Sequence, residues 1–233
     1  IGFDKVYVRG VGQYLYDEQD CEYLDMLAGY AVHNVGRNHP TVIQALKDLM
    51  DSQPATLVQM DAPLLSGLLA ERLKELTPEA LDTVYFTNSG TEGVETAIKF
   101  ARKSTRRPRV LFCDHSFHGL SNGSLSLNTD ESYRDGFDPL IPGCDKVQFN
   151  DREALASELA KEDVAAFILE PVQGKGVFIA EDEYLREARE LCTRHGTRLV
   201  FDEVQTGFGR TGKMFALEHP GVEPDILVVS KAL

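Results

Sequence analysis

Little in this chain points to nucleic acid, membrane, metal or disulfide chemistry. Basic residues are scarce: 24 Lys and Arg stand against 37 Asp and Glu, a formal net charge of −13. No basic cluster or basic helix face interrupts that balance, so nucleic acid and anionic membranes are excluded as expected partners, and any phosphate ligand must be held locally against the overall field. Only four cysteines occur, Cys21, Cys113, Cys144 and Cys192, without a CxxC pair. Three of them lie in or beside apolar segments, which predicts buried free thiols in a reducing compartment. His33, His39, His115 and His118 fall at no metal-ligand spacing, and no metal is expected. No apolar run reaches membrane-spanning length and no signal peptide opens the chain, so the expected location is the cytoplasm. Internal repeats and low-complexity segments are also missing.

What is present is an ordinary globular composition, 42% hydrophobic and 26% charged over 233 residues, enough for one large core. Residues 1–35 read as short alternating strands with turns, a small antiparallel outlier. Two helices follow. One has Pro40 in its first turn and Val42, Ala45, Leu46, Leu49 and Met50 on one face; the other begins near Asp61-Ala62-Pro63 and aligns Leu65, Leu68, Leu69, Leu73 and Leu76. From residue 83 strands and helices alternate, with strands expected near 83–87, 109–113, 145–149, 164–169, 197–202 and 226–230 and helices near 91–104, 151–161 and 181–195, the last stopped by Gly196. That alternation predicts an α/β fold, a mainly parallel sheet sandwiched by helices. The expected division is an N-terminal segment, 1–60, and a large domain, 61–233. Because the chain begins at Ile1 without Met and stops just after a strand, it is expected to be a piece of a longer polypeptide, incomplete at its C-terminus.

The apolar run Ile226-Leu227-Val228-Val229-Ser230 leads into Lys231, and the run Arg198-Leu199-Val200-Phe201 leads into Asp202-Glu203. Asp202 and Lys231 are 29 residues apart, close to one right-handed βαβ unit, which makes the two strands parallel neighbours and directs both charges into the crevice at the carboxyl edge of the sheet. Glu203 points to the opposite side and is expected to form a structural ion pair. On the same rim, Ser89-Gly90-Thr91-Glu92 opens a helix. Ser89 and Glu92 match a capping box, and Gly90 equally suits a close approach of backbone to phosphate. A phosphate seat, a carboxylate and a lysine on one rim describe a site for pyridoxal 5′-phosphate (PLP). Lys231 is expected to form a Schiff base with the aldehyde and then act as base, Asp202 to pair with the pyridine nitrogen, Gln205 to meet the ring oxygen, and Phe117 and Val204 to cover the two ring faces. His118 is expected to support the cofactor loop.

Five motifs, Asn88-Ser89-Gly90-Thr91-Glu92, Ser116-Phe117-His118-Gly119, Glu170-Pro171-Val172-Gln173-Gly174, the block Asp202 to Gly212, and Ser230-Lys231-Ala232-Leu233, stand in the order found in class III aminotransferases. The chain resembles the ornithine, acetylornithine and putrescine aminotransferase group, with the PLP fold type I. The resemblance implies that Gly90 and Thr91 hold phosphate, that Phe117 stacks on the ring, that Asp202, Gln205 and Lys231 take the roles above, and that Tyr30 contacts substrate. It implies an amine donor, a 2-oxo acid acceptor, and homodimers with active sites at the subunit interface. Two positions depart from the pattern: Leu120 replaces an arginine that helps hold substrate carboxylate, and Lys175 replaces an acidic residue. The family's chain continues past the lysine, so the isolated chain is expected to be inactive. A PLP-dependent mutase or decarboxylase, or a non-catalytic aminotransferase-like subunit, are the alternatives on this scaffold. The GxGxxG match over 207–212 does not join a strand to a long helix, which weighs against a nicotinamide site.

Overall fold

The computed structural model describes residues 4–55, 58 and 60–233. It divides into two units, one reaching to Leu73 and one running from Lys74 to Lys231.

The first unit opens with an antiparallel sheet of β1 (Tyr7–Val11), β2 (Tyr14–Asp17) and β3 (Glu22–Leu24), paired in that order. Asp17 makes the second turn: its buried carboxylate accepts the Gln19 and Cys21 amides, both at 3.0 Å, and the Tyr23 hydroxyl at 2.8 Å. Helices Pro40–Asp51 and Leu64–Leu76 follow, the first with proline in its opening turn, where its missing N–H costs nothing. Their apolar stripes stay largely uncovered among the described residues: Val42, Leu46, Met50, Leu65 and Leu68 are exposed, and only Leu73 is buried.

The second unit is a five-stranded parallel sheet of order β5-β4-β6-β7-β8, where β4 is Arg109–Cys113, β5 Cys144–Val147, β6 Val164–Leu169, β7 Arg198–Asp202 and β8 Ile226–Val228. β4, β6 and β7 bury both faces, so they read as nearly unbroken apolar runs, whereas the edge strand β5 leaves Asp145 and Lys146 exposed. Successive residues serve opposite layers. Val110, Phe112, Ile168 and Val200 pack against Val94, Ala97, Ile98 and Ala101 of helix Gly90–Thr105. Leu111, Cys113, Phe167, Leu169, Leu199 and Phe201 pack on the other side, against Leu155 and Leu159 of helix Arg152–Leu159 and Tyr184, Leu185, Ala188 and Leu191 of helix Asp182–His195. Gly196 ends that last helix with a left-handed φ of 64°. The four cysteines are free thiols; Cys113 and Cys192 are buried and Cys21 is exposed.

Three expectations change. The segment 83–87 forms no strand, because no described strand runs beside it, and Tyr85 and Phe86 are exposed; an apolar run without a ladder partner is not a strand. The strand at 226–230 stops at Val228, leaving Val229 to Lys231 outside the ladder. Glu203 makes no ion pair among the described residues. It is fully buried and accepts the Ala216 amide at 2.6 Å, the Leu217 amide at 2.8 Å and the Thr206 hydroxyl at 3.1 Å, so backbone donors take the place of the expected cation. Burial raises its pKa and those donors partly offset the rise. Glu203→Ala leaves these donors unpaired in the core and is expected to lower the urea-unfolding free energy by about 2–4 kcal/mol. A loss under ~0.5 kcal/mol, the range of ordinary surface substitutions, would show that the carboxylate is dispensable.

Candidate functional site

The sheet order creates the site. β5 and β6 lie on opposite sides of β4, so the loops leaving the carboxyl ends of β4 and β6 diverge and open a crevice between them. The loop after β4 carries Phe117 and His118, the one after β6 begins with Glu170, Asp202 ends β7, and the segments after β7 and β8 carry Glu203 to Gln205 and Ser230-Lys231. β7 and β8 pair in parallel with Asp202 opposite Val228, which puts the carboxylate and the lysine turn at one edge. The N-terminus of helix Gly90–Thr105 joins them. A side chain on Gly90 would stand 2.9 Å from both γ-methyl groups of Val204 and 3.4 Å from Cβ of Ser230, so only glycine permits this contact.

At the floor of the rim is a buried acid–base cluster. His118 Nδ1 lies 2.7 Å from Asp202 Oδ2, and the other carboxylate oxygen accepts the Val204 amide at 3.0 Å. Asn128 fixes the histidine loop by accepting the His118 amide at 2.8 Å and donating to the Gly119 carbonyl at 2.8 Å. Burial disfavours the imidazolium, but the Asp202 hydrogen bond and the charges of Asp202 and Glu170 outweigh it and raise the His118 pKa. Glu170 is only 5% exposed and accepts the Phe117 amide at 3.0 Å and the Gly174 amide at 2.8 Å. Burial, with the Asp202 charge acting in the same direction and His118 opposing, pushes the Glu170 carboxyl up to about 7.

Lys231 occupies the left-handed region at φ 51°, a conformation rarely adopted by a long side chain. Its half-buried Nζ donates to Gln205 Oε1. Burial lowers its pKa, Asp202 and Glu170 oppose the shift, and Arg210 adds to it. An amine so placed is more readily neutral, the form that attacks carbonyls and accepts protons.

The helix start supplies donors. Ser89 Oγ accepts the Glu92 amide at 3.3 Å, whereas the Glu92 carboxylate reaches past Ser89 to the Asn88 amide at 2.6 Å, so only half of the expected capping box forms. The Gly90 and Thr91 amides, in the first helical turn, have no intrahelical acceptor. The Thr91 hydroxyl lies 2.7 Å from Ser121 Oγ and 2.6 Å from Ser124 Oγ. Phe117 meets the Tyr133 ring edge-on at 5.2 Å between centroids. The Lys175 ammonium lies 4.9 Å above the same Tyr133 ring and pairs with Asp130.

Nine residues singled out in the sequence, Ser89, Gly90, Thr91, Phe117, His118, Asp202, Val204, Gln205 and Lys231, therefore lie at one sheet edge, on loops, on a helix's first turn and, for Asp202, at a strand end. Tyr30 belongs to the first unit, in a left-handed turn at φ 57°, and is 70% exposed. Glu170 stands out in the sequence only as part of a motif, although, like Asp202, it is an acid at the carboxyl end of a buried apolar run, a placement that marks it for the same rim. Residues 207–212 form turns and lead to a short 3-10 helix, not to a long helix as a dinucleotide loop would. A cleft at the opposite edge is lined by Arg186, Arg189, Arg198 and Asp225, but its arginines are already spent on Asp225 and on the Pro220 carbonyl.

This architecture has close counterparts among known proteins. The family model for class III aminotransferases matches residues 3–233, and the chain belongs to that family. It is 46% identical over 229 residues to a putrescine aminotransferase of Pectobacterium atrosepticum, covering 94% of this chain and 48% of that protein. It is 44% identical over 240 aligned positions to an acetylornithine aminotransferase of Methanocaldococcus jannaschii, covering 98% and 58%. The ornithine aminotransferase structure from Toxoplasma gondii, described with partial occupancy of PLP at its active site, superposes with a TM-score of 0.91 at 32% identity, over 97% of this chain and 55% of that one. The chain spans about half the length of these relatives.

The Glu170 carboxyl yields a pH test. An unfolded glutamate loses its proton near 4.5 and the folded one near 7, so between those values the folded state binds more protons and stability falls as pH rises. Glu170→Gln is expected to flatten that decline in urea-unfolding free energies measured from pH 4.5 to 7. A slope equal to wild type would assign the decline to other groups.

Proposed function

We propose that the protein carrying this chain is a PLP-dependent aminotransferase that moves an amino group from an amino acid or ω-amino donor, such as a diamine or a basic amino acid, to a 2-oxo acid. The observation that carries this reading is the grouping of a half-buried amine of lowered pKa, a histidine-held carboxylate and a helix N-terminus at one sheet edge. The residues suit the cofactor chemically. The Gly90 and Thr91 amides, with the Ser89 hydroxyl, would offer donors to a phosphate; Asp202, kept in place by His118, would pair with the pyridine nitrogen; Gln205 would serve the ring oxygen; and Phe117 and Val204 would cover the ring. When bound, the cofactor supplies an aldehyde that joins to amines and a ring that takes up electron density.

Around it, the chain's own groups do the rest. Lys231 would hold the group at its aldehyde end and, as a free amine, would carry a proton to or from a substrate carbon. Gln205 orients that amine through the hydrogen bond already formed. The Asp202–His118 pair keeps a negative charge where a ring nitrogen can hold its proton. Tyr30 is assigned to substrate contact from the family resemblance. The active unit is a homodimer, in which a second copy covers apolar side chains such as Val42, Leu46 and Met50 that this chain leaves exposed. The cytoplasm is the proposed location.

Two measurements on the whole protein test this reading. Borohydride reduction is expected to leave a pyridoxyl group on the peptide containing Lys231, and Lys231→Ala to abolish the label and lower transamination ~10²–10⁴-fold or more. A label elsewhere, or turnover unchanged in the variant, would sink the assignment. Light scattering is expected to give twice the monomer mass; a monomer that retains full turnover would remove the dimer from the proposal.

A further inference from the structure

Glu95 lies in the second turn of helix Gly90–Thr105, and no role at the rim follows from its position in the sequence. Its Oε1 accepts three hydrogen bonds from one loop: Ser121 Oγ at 2.6 Å, the Gly123 amide at 2.6 Å and the Ser124 amide at 3.1 Å. The close approach is built in. A side chain on Gly123 would stand 2.1 Å from Glu95 Oε2, so residue 123 must lack one for the carboxylate to reach the turn. A carboxylate oxygen only accepts, so Ser121 gives its hydroxyl proton to Glu95 and can only receive from Thr91, 2.7 Å away. Thr91 in turn accepts the Ser121 amide at 3.2 Å and lies 2.6 Å from Ser124 Oγ. Gly119 closes the arrangement, since a side chain there would fall 2.4 Å from Thr91 Oγ1.

We infer that Glu95 is a positioning residue for anion binding, clamping the 121–124 turn onto the first turn of helix Gly90–Thr105 and so fixing Thr91 where its backbone amide meets a phosphate group. Glu95 itself touches no anion, and its negative charge faces the loop donors that neutralise it. Loss of the clamp frees Thr91 and lowers affinity for the phosphate part of a ligand, while leaving the amine and carboxylate at Lys231 and Asp202 in place. This inference rests on the reading of Gly90 and Thr91 as a phosphate seat.

The test compares two ligands on the apo form of the whole protein, PLP and pyridoxal, which lacks the phosphate, with binding followed by near-ultraviolet absorbance. Wild type is expected to prefer PLP strongly. Glu95→Ala and Gly123→Ala, which remove or displace the same carboxylate, are expected to lose about tenfold or more of that preference, with pyridoxal affinity little changed; the milder Glu95→Gln and Ser121→Ala are expected to lose part of it. Full preference retained in Glu95→Gln and Ser121→Ala would overturn the inference, as would equal losses for both ligands, the mark of a general structural role. A wild-type protein with no preference for PLP would remove the phosphate seat itself, and the role of Glu95 with it.

Discussion

The parallel pairing of β7 with β8, Asp202 opposite Val228, is the constraint on which the site depends. Side chains alternate along a strand, so a slip of one residue would turn Asp202 away from the layer it now serves and bury the wrong set of apolar groups. Both strands are apolar on both faces, and helix Gly90–Thr105 packs on one side of them, so register is set by volume on two sides at once. The chemistry at the rim is therefore a consequence of core packing some residues below it.

Electrostatically the site inverts its surroundings. The chain is strongly acidic, yet at this edge two buried carboxylates, Glu170 and Asp202, share their field with His118 and Lys231. Each perturbation has an identifiable cause. Burial raises Glu170 and lowers Lys231, while the carboxylates raise His118. These shifts bring a carboxyl, an imidazole and an amine closer together in proton affinity, a common property of acid–base sites. The positive contribution at the other end comes from backbone dipoles, because a helix N-terminus presents N–H groups without the desolvation cost of another buried cation.

Much of this was legible in residue order. The runs Val164–Leu169 and Arg198–Asp202 announced two-sided burial, and the spacing of Asp202 from Lys231 fixed their parallel adjacency. Segment 83–87 shows the limit of pattern: its apolar run Val84-Tyr85-Phe86 suits a strand, but pairing is a property of neighbours. Glu203 shows another. Its placement on the side of the strand opposite Asp202 followed from strand geometry, but its partners are amides at Ala216 and Leu217, and backbone donors leave no mark in composition. Glu95 was silent for the same reason, since two of its three donors are main-chain groups and the third is a serine on a remote loop.

The helix–sheet interface is built from small residues. Ala97 and Ala101 of helix Gly90–Thr105 meet Ala166 of β6, and a methyl group on Gly93 would come within 2.8 Å of Val228 Cγ1. Missing side-chain volume thus sets how near the helix axis lies to β8, and with it the span from the helix's first amides to the lysine turn. That span behaves as a spacer machined by omission: thickening the interface by one carbon would lengthen it, and a ligand that bridges both ends would then reach only one.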